Sequence, residues 1–186
     1  LGWYATGGPG RLRRLVPRWA PTDLAWLGAG AVTAWLYRPW LAPGSAAGAL
    51  QLMLPGWDHS AHFNITAMQR RFGSVISQAP AAPAGDTWSY GSYPQSGHSL
   101  VATLVDLQSG PGGALDPADY TRAVALMWVG LVAIAAAGVV ALPWLRRRWW
   151  IAAPAVAGLT AVLVLGPGAS TLRDGFPPYL VVLGLV

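Results

Sequence analysis

Of the 186 residues, 54% are hydrophobic and only 10% are charged, against roughly 25% charged in ordinary soluble domains. Water is therefore not the main solvent of this chain. All twelve basic residues are Arg and all seven acidic ones are Asp. The net charge of +5 sits in short Arg runs beside apolar segments, where membrane topology explains it without a nucleic-acid partner. Cysteine is absent, which excludes disulfides, thiolate metal sites and cysteine nucleophiles.

Taken in chain order, residues 1–21 form a basic start carrying Arg11, Arg13, Arg14 and Arg18. A first membrane span is expected over residues 22–41, where the run from Thr22 to Tyr37 is apolar and Arg38 and Trp40 can anchor the far end. Residues 42–121 make a connection too long to be a bare link, and two stretches of it have helical periodicity. In residues 57–73, Asp58, His59, His62, Thr66, Gln69 and Arg70 share one arc at 100° per residue, facing an apolar arc of Ala61, Ile65, Met68 and Phe72. In residues 94–107, with Pro94 expected in the first turn, the polar arc holds Gln95, His98, Ser99, Thr103 and Asp106, and Leu100, Val101, Leu104 and Leu107 oppose it. Both are expected to lie in the membrane interface, apolar face in lipid and polar face toward water. Between them Ser77 to Ser92 reads as irregular from its Pro, Gly and Ser.

The second span, residues 122–145, is apolar throughout its middle and long enough to cross. A turn at 146–148 (Arg146, Arg147, Arg148) leads to a third span over residues 149–166, with Pro154 tolerated as a kink. Residues 167–177 form a short loop, and 178–186 read as the start of a fourth span. The chain begins at Leu1 and stops at Val186 inside an apolar run, as expected of an N-terminal fragment. The expected fold is an all-α polytopic transmembrane protein with amphipathic interfacial helices in a long first outer loop. Arg retention on the cytoplasmic side puts residues 1–21 and 146–148 inside, and 42–121 and 167–177 outside. Asp116 or Asp119 is expected to cap the second span.

The three histidines and most of the acids fall in the outer segments. Asp58 opens a helix close behind the first outer membrane end, a position that suits an N-cap as well as a base meeting a lipid-borne substrate. His62 lies four residues on and shares its face. His59 and His62 at i and i+3, or Asp58 with His62 and His98, are candidate ligands of a divalent cation, although no HExxH or Cys pattern supports a zinc site. Trp57 and Tyr93 present aromatic faces of the kind that stack on sugars or anchor at an interface. Arg70 and Arg173 are candidates for a lipid phosphate, and Arg173 with Asp174 is equally a candidate local ion pair. No Gly-rich phosphate loop or nucleophile elbow occurs.

The order of a basic start, a first span, Gly56-Trp57-Asp58 followed by His62-Phe63, and then Tyr93-Pro94-Gln95-x-Gly97-His98 resembles polytopic membrane proteins of high-GC Gram-positive bacteria. These are similar to the GT-C class of glycosyltransferases, which take sugars from polyprenyl-phosphate donors. The resemblance implies a multi-pass protein of the bacterial inner (plasma) membrane that transfers a sugar to a glycan or lipid acceptor of the cell envelope on the outer side. It makes Asp58 the general base, with His62 and His98 orienting it or holding a cation, and His59, Tyr93, Trp57, Arg70, Arg173 and Asp174 as substrate contacts. Where many of that class have paired acids, His59 follows Asp58. A transporter or flippase-like protein, or a non-catalytic envelope scaffold, are the alternatives.

Overall fold

The computed structural model describes residues 19–56, 58–81, 88 and 90–175. Among these the secondary structure is entirely helical: α1 (Asp23–Leu36), α2 (Arg38–Leu41), α3 (Ala46–Met53), α4 (His59–Phe72), a 3-10 turn (Ile76–Gln78), α5 (Ser96–Ser109), α6 (Pro117–Ala141), α7 (Trp149–Leu165) and α8 (Pro167–Asp174). Trp57 and the fourth expected span, 178–186, lie outside the described residues.

Local sequence accounts for most of the boundaries. Pro39 has no N–H to continue the ladder of α1, so the chain turns at Tyr37 and restarts as α2, with the proline in its first turn. Ser45 caps α3 by accepting from Gly48 N at 3.1 Å. Asp116 caps α6 through Ala118 N at 2.7 Å, and Pro117 takes the N1 position that tolerates it. Asp119 instead pairs with Arg122 at 2.9 Å. The second expected span is displaced toward the N-terminus. Its helix begins at Pro117 because of that cap and stops at Ala141, since Pro143 pushes Leu142 out of the helical region to ψ 126°. The expected loop at 167–177 is helical through Asp174, and α5 starts two residues after Pro94 rather than at it.

α6 is the hub, with α1, α2, α3, α5 and α7 packed on it. Its buried face carries Val124, Trp128, Val132 and Ala136, all fully inaccessible. α1 and α7 flank it. At one end Thr22 Oγ1 donates to the Arg146 carbonyl (3.3 Å) and Asp23 lies 3.8 Å from Arg146. At the other, Tyr37 OH donates to the Val164 carbonyl (2.8 Å) and Arg122 Nε to that of Leu41 (3.3 Å). The three helices therefore alternate in direction, and α4, α5 and α8 gather at the second end. Among the described residues two helices are long and apolar enough to cross a membrane, α6 and the stretch from Trp149 to Asp174 that includes α7 and α8.

The largest departure from expectation concerns the faces of α4 and α5. The polar arc of α4 and the first turn of that of α5 do not face water, although Thr103 further along α5 is exposed. His59, His62, Thr66, Gln69 and Arg70 of α4 and His98 of α5 are buried, while Leu100 and Leu107 of α5 are exposed. The arcs turn toward each other and toward α6, because each supplies the hydrogen-bond partners that the other needs once water is gone. Arg70 shows the strength of this demand. Its Nε donates to Asp106 Oδ1 at 2.8 Å, Nη2 to the Gly110 carbonyl at 2.9 Å, and Nη1 to that of Ala114 at 3.4 Å.

One guanidinium thus ties α4 to the end of α5 and to the loop that follows. Arg70→Ala is expected to lower unfolding stability by about 2 kcal/mol, the scale of losing charge-assisted hydrogen bonds to a partly exposed carboxylate. Thermal unfolding of the protein in lipid or detergent checks this, and an unchanged midpoint would contradict the clamp.

Candidate functional site

Asp58 occupies the N-cap position of α4 without capping it, since its side chain accepts no backbone N–H of the first turn. The carboxylate, about a quarter exposed, instead lies 3.3 Å from His62 Nε2. On the opposite side of that ring, His62 Nδ1 is 2.7 Å from His98 Nε2 of α5. The two imidazoles stack at 5.0 Å between centroids, and Tyr93 presents its ring edgewise to both, at 5.7 Å and 5.9 Å. The result is a line, Asp58 to His62 to His98, that runs from a partly exposed acid into the interior.

Close packing of distant segments holds the acid in place. α8 ends at Gly175, whose φ of +92° belongs to the left-handed region; a Cβ there would lie 2.8 Å from His59 N and 3.0 Å from Asp58 N. At Gly56 a Cβ would lie 2.7 Å from the Arg173 carbonyl oxygen. The start of α4 is thus wedged against the end of α8. His59 completes the joint by donating from Nε2 to the Leu172 carbonyl at 2.6 Å, with its ring 5.3 Å from that of Trp40.

Deeper in, a polar cluster keeps α4 and α5 in register. Gln69 Nε2 donates to Gln95 Oε1 at 3.0 Å, Ser99 Oγ donates to Gln69 Oε1 at 3.2 Å, and Ile76 N donates to Gln95 Oε1 at 2.7 Å. Thr66 Oγ1 returns to the His62 carbonyl at 2.9 Å. Beneath the imidazole pair is a cavity of about 10 Å³, lined by His62, Thr66, Gly97, His98, Val101 and Tyr120 among others. That is room for about one water. A substrate can therefore meet this line only at its Asp58 end.

Several expected site residues are brought together, and several are not. Asp58, His62, His98 and Tyr93 converge. His59 shares no metal position with His62, because its Nε2 is committed to α8. Arg70 is buried in the clamp described above and is not available to a phosphate. Arg173 is well exposed and pairs locally with Asp174 at 3.1 Å, near the start of α4. Among the described residues no group of three His or Asp side chains is placed to hold a metal ion, for Asp58 and His98 meet opposite nitrogens of His62 rather than a common point. Sequence reasoning placed Thr66 on the polar arc but gave it no role at the site, and it missed Tyr120 and the α8 contribution. Thr66 and Tyr120 carry no motif, and the partners from α8 are a backbone carbonyl and a glycine.

Burial governs the titration of the three imidazoles. It pushes His59 and His62 below the ordinary histidine range, against the opposing pull of the Asp58 charge. His98 is pushed down to about 4 by burial and by the neighbouring His62. These rings are neutral at neutral pH. Because the unfolded state binds protons more readily, stability is full above pH ~6.5 and declines as pH falls toward 4. For His98 alone the loss between pH 7 and pH 5 is about 2 kcal/mol. The unfolding midpoint should fall over that interval, and His98→Gln should remove a measurable part of the fall.

No protein-family model, curated protein or solved structure matches this chain, so its functional reading stands on the geometry of these residues.

Proposed function

We propose that the chain is part of a multi-pass bacterial membrane enzyme that transfers a sugar from a polyprenyl-phosphate donor to a cell-envelope acceptor, with Asp58 as the general base. One observation carries this reading: the Asp58 carboxylate is placed at a helix N-terminus, is not used for capping, and is backed by His62 while still reaching solvent. An acid with a purely structural role at that position would be expected to accept the backbone N–H groups in front of it. In the proposed reaction an acceptor O–H bond breaks as its oxygen attacks the anomeric carbon. The proton passes to Asp58, and the bond to the donor phosphate breaks. Arg173, exposed near the same helix start, is a cation that could hold that phosphate.

The membrane part of the reading is supported by how little of the second long helix is covered. Only 28% of its most apolar window is buried, and Trp149, Trp150, Val162 and Leu165 are each at least 60% exposed. Such a surface suits lipid rather than water. An open apolar groove of about 320 Å³ between α1 and α7, lined by Gly28, Ala29 and Val32 and by Ala153, Ala157 and Ala161 among others, is compatible with an isoprenoid tail. The groove reaches Val164, whose carbonyl is bound by Tyr37 at the end of the bundle that carries Asp58. Alternation of α1, α6 and α7 puts Asp23 and the Arg146 turn at the opposite end, the arrangement that Arg retention on the cytoplasmic side calls for.

In the full-length protein, Asp58→Asn is expected to lower sugar transfer from a polyprenyl-phosphate donor by about 10²- to 10⁴-fold, the usual weight of a general base, with expression unchanged. Wild-type turnover in that variant would remove Asp58 from the chemistry. The absence of native cysteine makes topology testable too. A cysteine replacing the exposed Ser60 should react with a membrane-impermeant maleimide on intact cells, and one replacing Arg147 should react only after lysis. The reverse pattern would invert the proposed orientation.

A further inference from the structure

The line from Asp58 through His62 to His98 contains two contacts and two imidazoles, and proton counting limits how it can be filled. Each contact between His62 and a neighbour takes one proton, a carboxylate can only accept, and a neutral imidazole has a single N–H. Two arrangements remain. In one, His62 carries its proton on Nε2, toward Asp58, and accepts at Nδ1 from His98 Nε2–H. In the other, His98 is protonated on Nδ1 and accepts at Nε2 from His62 Nδ1–H.

The second arrangement fails at the carboxylate. A neutral His62 would turn a lone pair toward the Asp58 carboxylate 3.3 Å away, and only an extra proton on a ring that is 1% exposed would relieve the repulsion. The Gln95 and Pro94 carbonyls lie beside the His98 ring and could meet an N–H there, so the choice rests on the carboxylate: an ion facing a lone pair costs more than a neutral carbonyl facing one.

We infer that His98 is a positioning residue: by donating Nε2–H to His62 Nδ1 it fixes His62 in the Nε2–H tautomer, so that the His62 proton faces Asp58 and the carboxylate accepts it. His98 touches no substrate, since its side of the line opens only on a water-sized cavity. It acts through His62 as an orienting group acts on a general base one step further out. Tyr93, edge-on to both rings, holds the planes at the angle that keeps the two nitrogens in line. The catalytic consequence rests on the reading of Asp58 as base; the tautomers do not.

The test uses the full-length protein, ¹⁵N-labelled at histidine and reconstituted in lipid nanodiscs, because two-bond ¹H–¹⁵N correlations distinguish Nδ1–H, Nε2–H and doubly protonated rings. At pH 7 the wild type should show both His62 and His98 as Nε2–H. His98→Gln keeps an amide N–H near the position of Nε2 and should leave the His62 signals in place. His98→Leu removes the donor and should move them toward an average of two tautomers. Sugar transfer should follow the same order, with His98→Gln within about threefold of wild type and His98→Leu lower by tenfold or more in kcat. A His62 that is doubly protonated or Nδ1–H in the wild type overturns the inference. So does a His62 spectrum that His98→Leu leaves unchanged. Should His98→Leu fail to fold, the wild type and His98→Gln still decide the tautomers. If the tautomers are as stated but no variant, wild type included, transfers a sugar, the proposed function fails and the positioning of Asp58 by His98 stands.

Discussion

A helix can turn its polar face inward only if another element brings matching donors and acceptors, and α4 and α5 satisfy that constraint on each other. His62 meets His98, Gln69 meets Gln95 and Ser99, and Arg70 meets Asp106 with two carbonyls beyond it. Remove this mutual pairing and each helix would have to rotate its polar arc outward, which would take Ile65 and Val105 out of the core. The loop after α5 and the turn at Ile76 are drawn in by the same network. The placement of Asp58 follows from it, since the orientation of α4 decides where the start of that helix points.

The residues of the candidate site could be read from the sequence, but not the direction in which they face. Helical periodicity grouped His59, His62, Thr66, Gln69 and Arg70 on one arc, and all five are buried together. A single amphipathic helix gives no sign of whether its polar arc meets water or a second polar arc, so an interfacial placement was the natural expectation. What decides the matter is the complementarity of two stretches 36 residues apart. Arg70 illustrates the same limit. It is expected from sequence to face a lipid phosphate, yet two of its three acceptors are main-chain oxygens, which leave no trace in residue identity. His59 finds its acceptor 113 residues away, again on the backbone. Helix boundaries have local causes, since caps and prolines act on their immediate neighbours: Asp116, Pro117 and Pro143 account for both ends of α6.

Asp58 was open to two readings as a sequence position, and its geometry separates them. A capping carboxylate is folded back over its own helix, with its oxygens occupied by N–H groups. Here the contact between Gly175 and the backbone of Asp58 and His59 crowds the start of α4, and the carboxylate turns along the helix to His62 instead. The field of the helix N-terminus still favours its negative charge, so the acid gains that stabilisation without spending its lone pairs on the cap.

This arrangement also explains why the histidines do not form a metal site. Metal ligands must direct lone pairs at one point, about 2 Å from each donor. His62 is held by both of its nitrogens, one toward an acid and one toward a second imidazole, so neither is directed at a vacant centre. Bringing Asp58, His62 and His98 around an ion would require His62 to give up one of these contacts and to rotate within a packed interior, where Thr66, Val101 and Tyr120 leave space for little more than a water. The same three residue types that would suggest a cation in a linear reading are, in this packing, a hydrogen-bonded support for a single carboxylate.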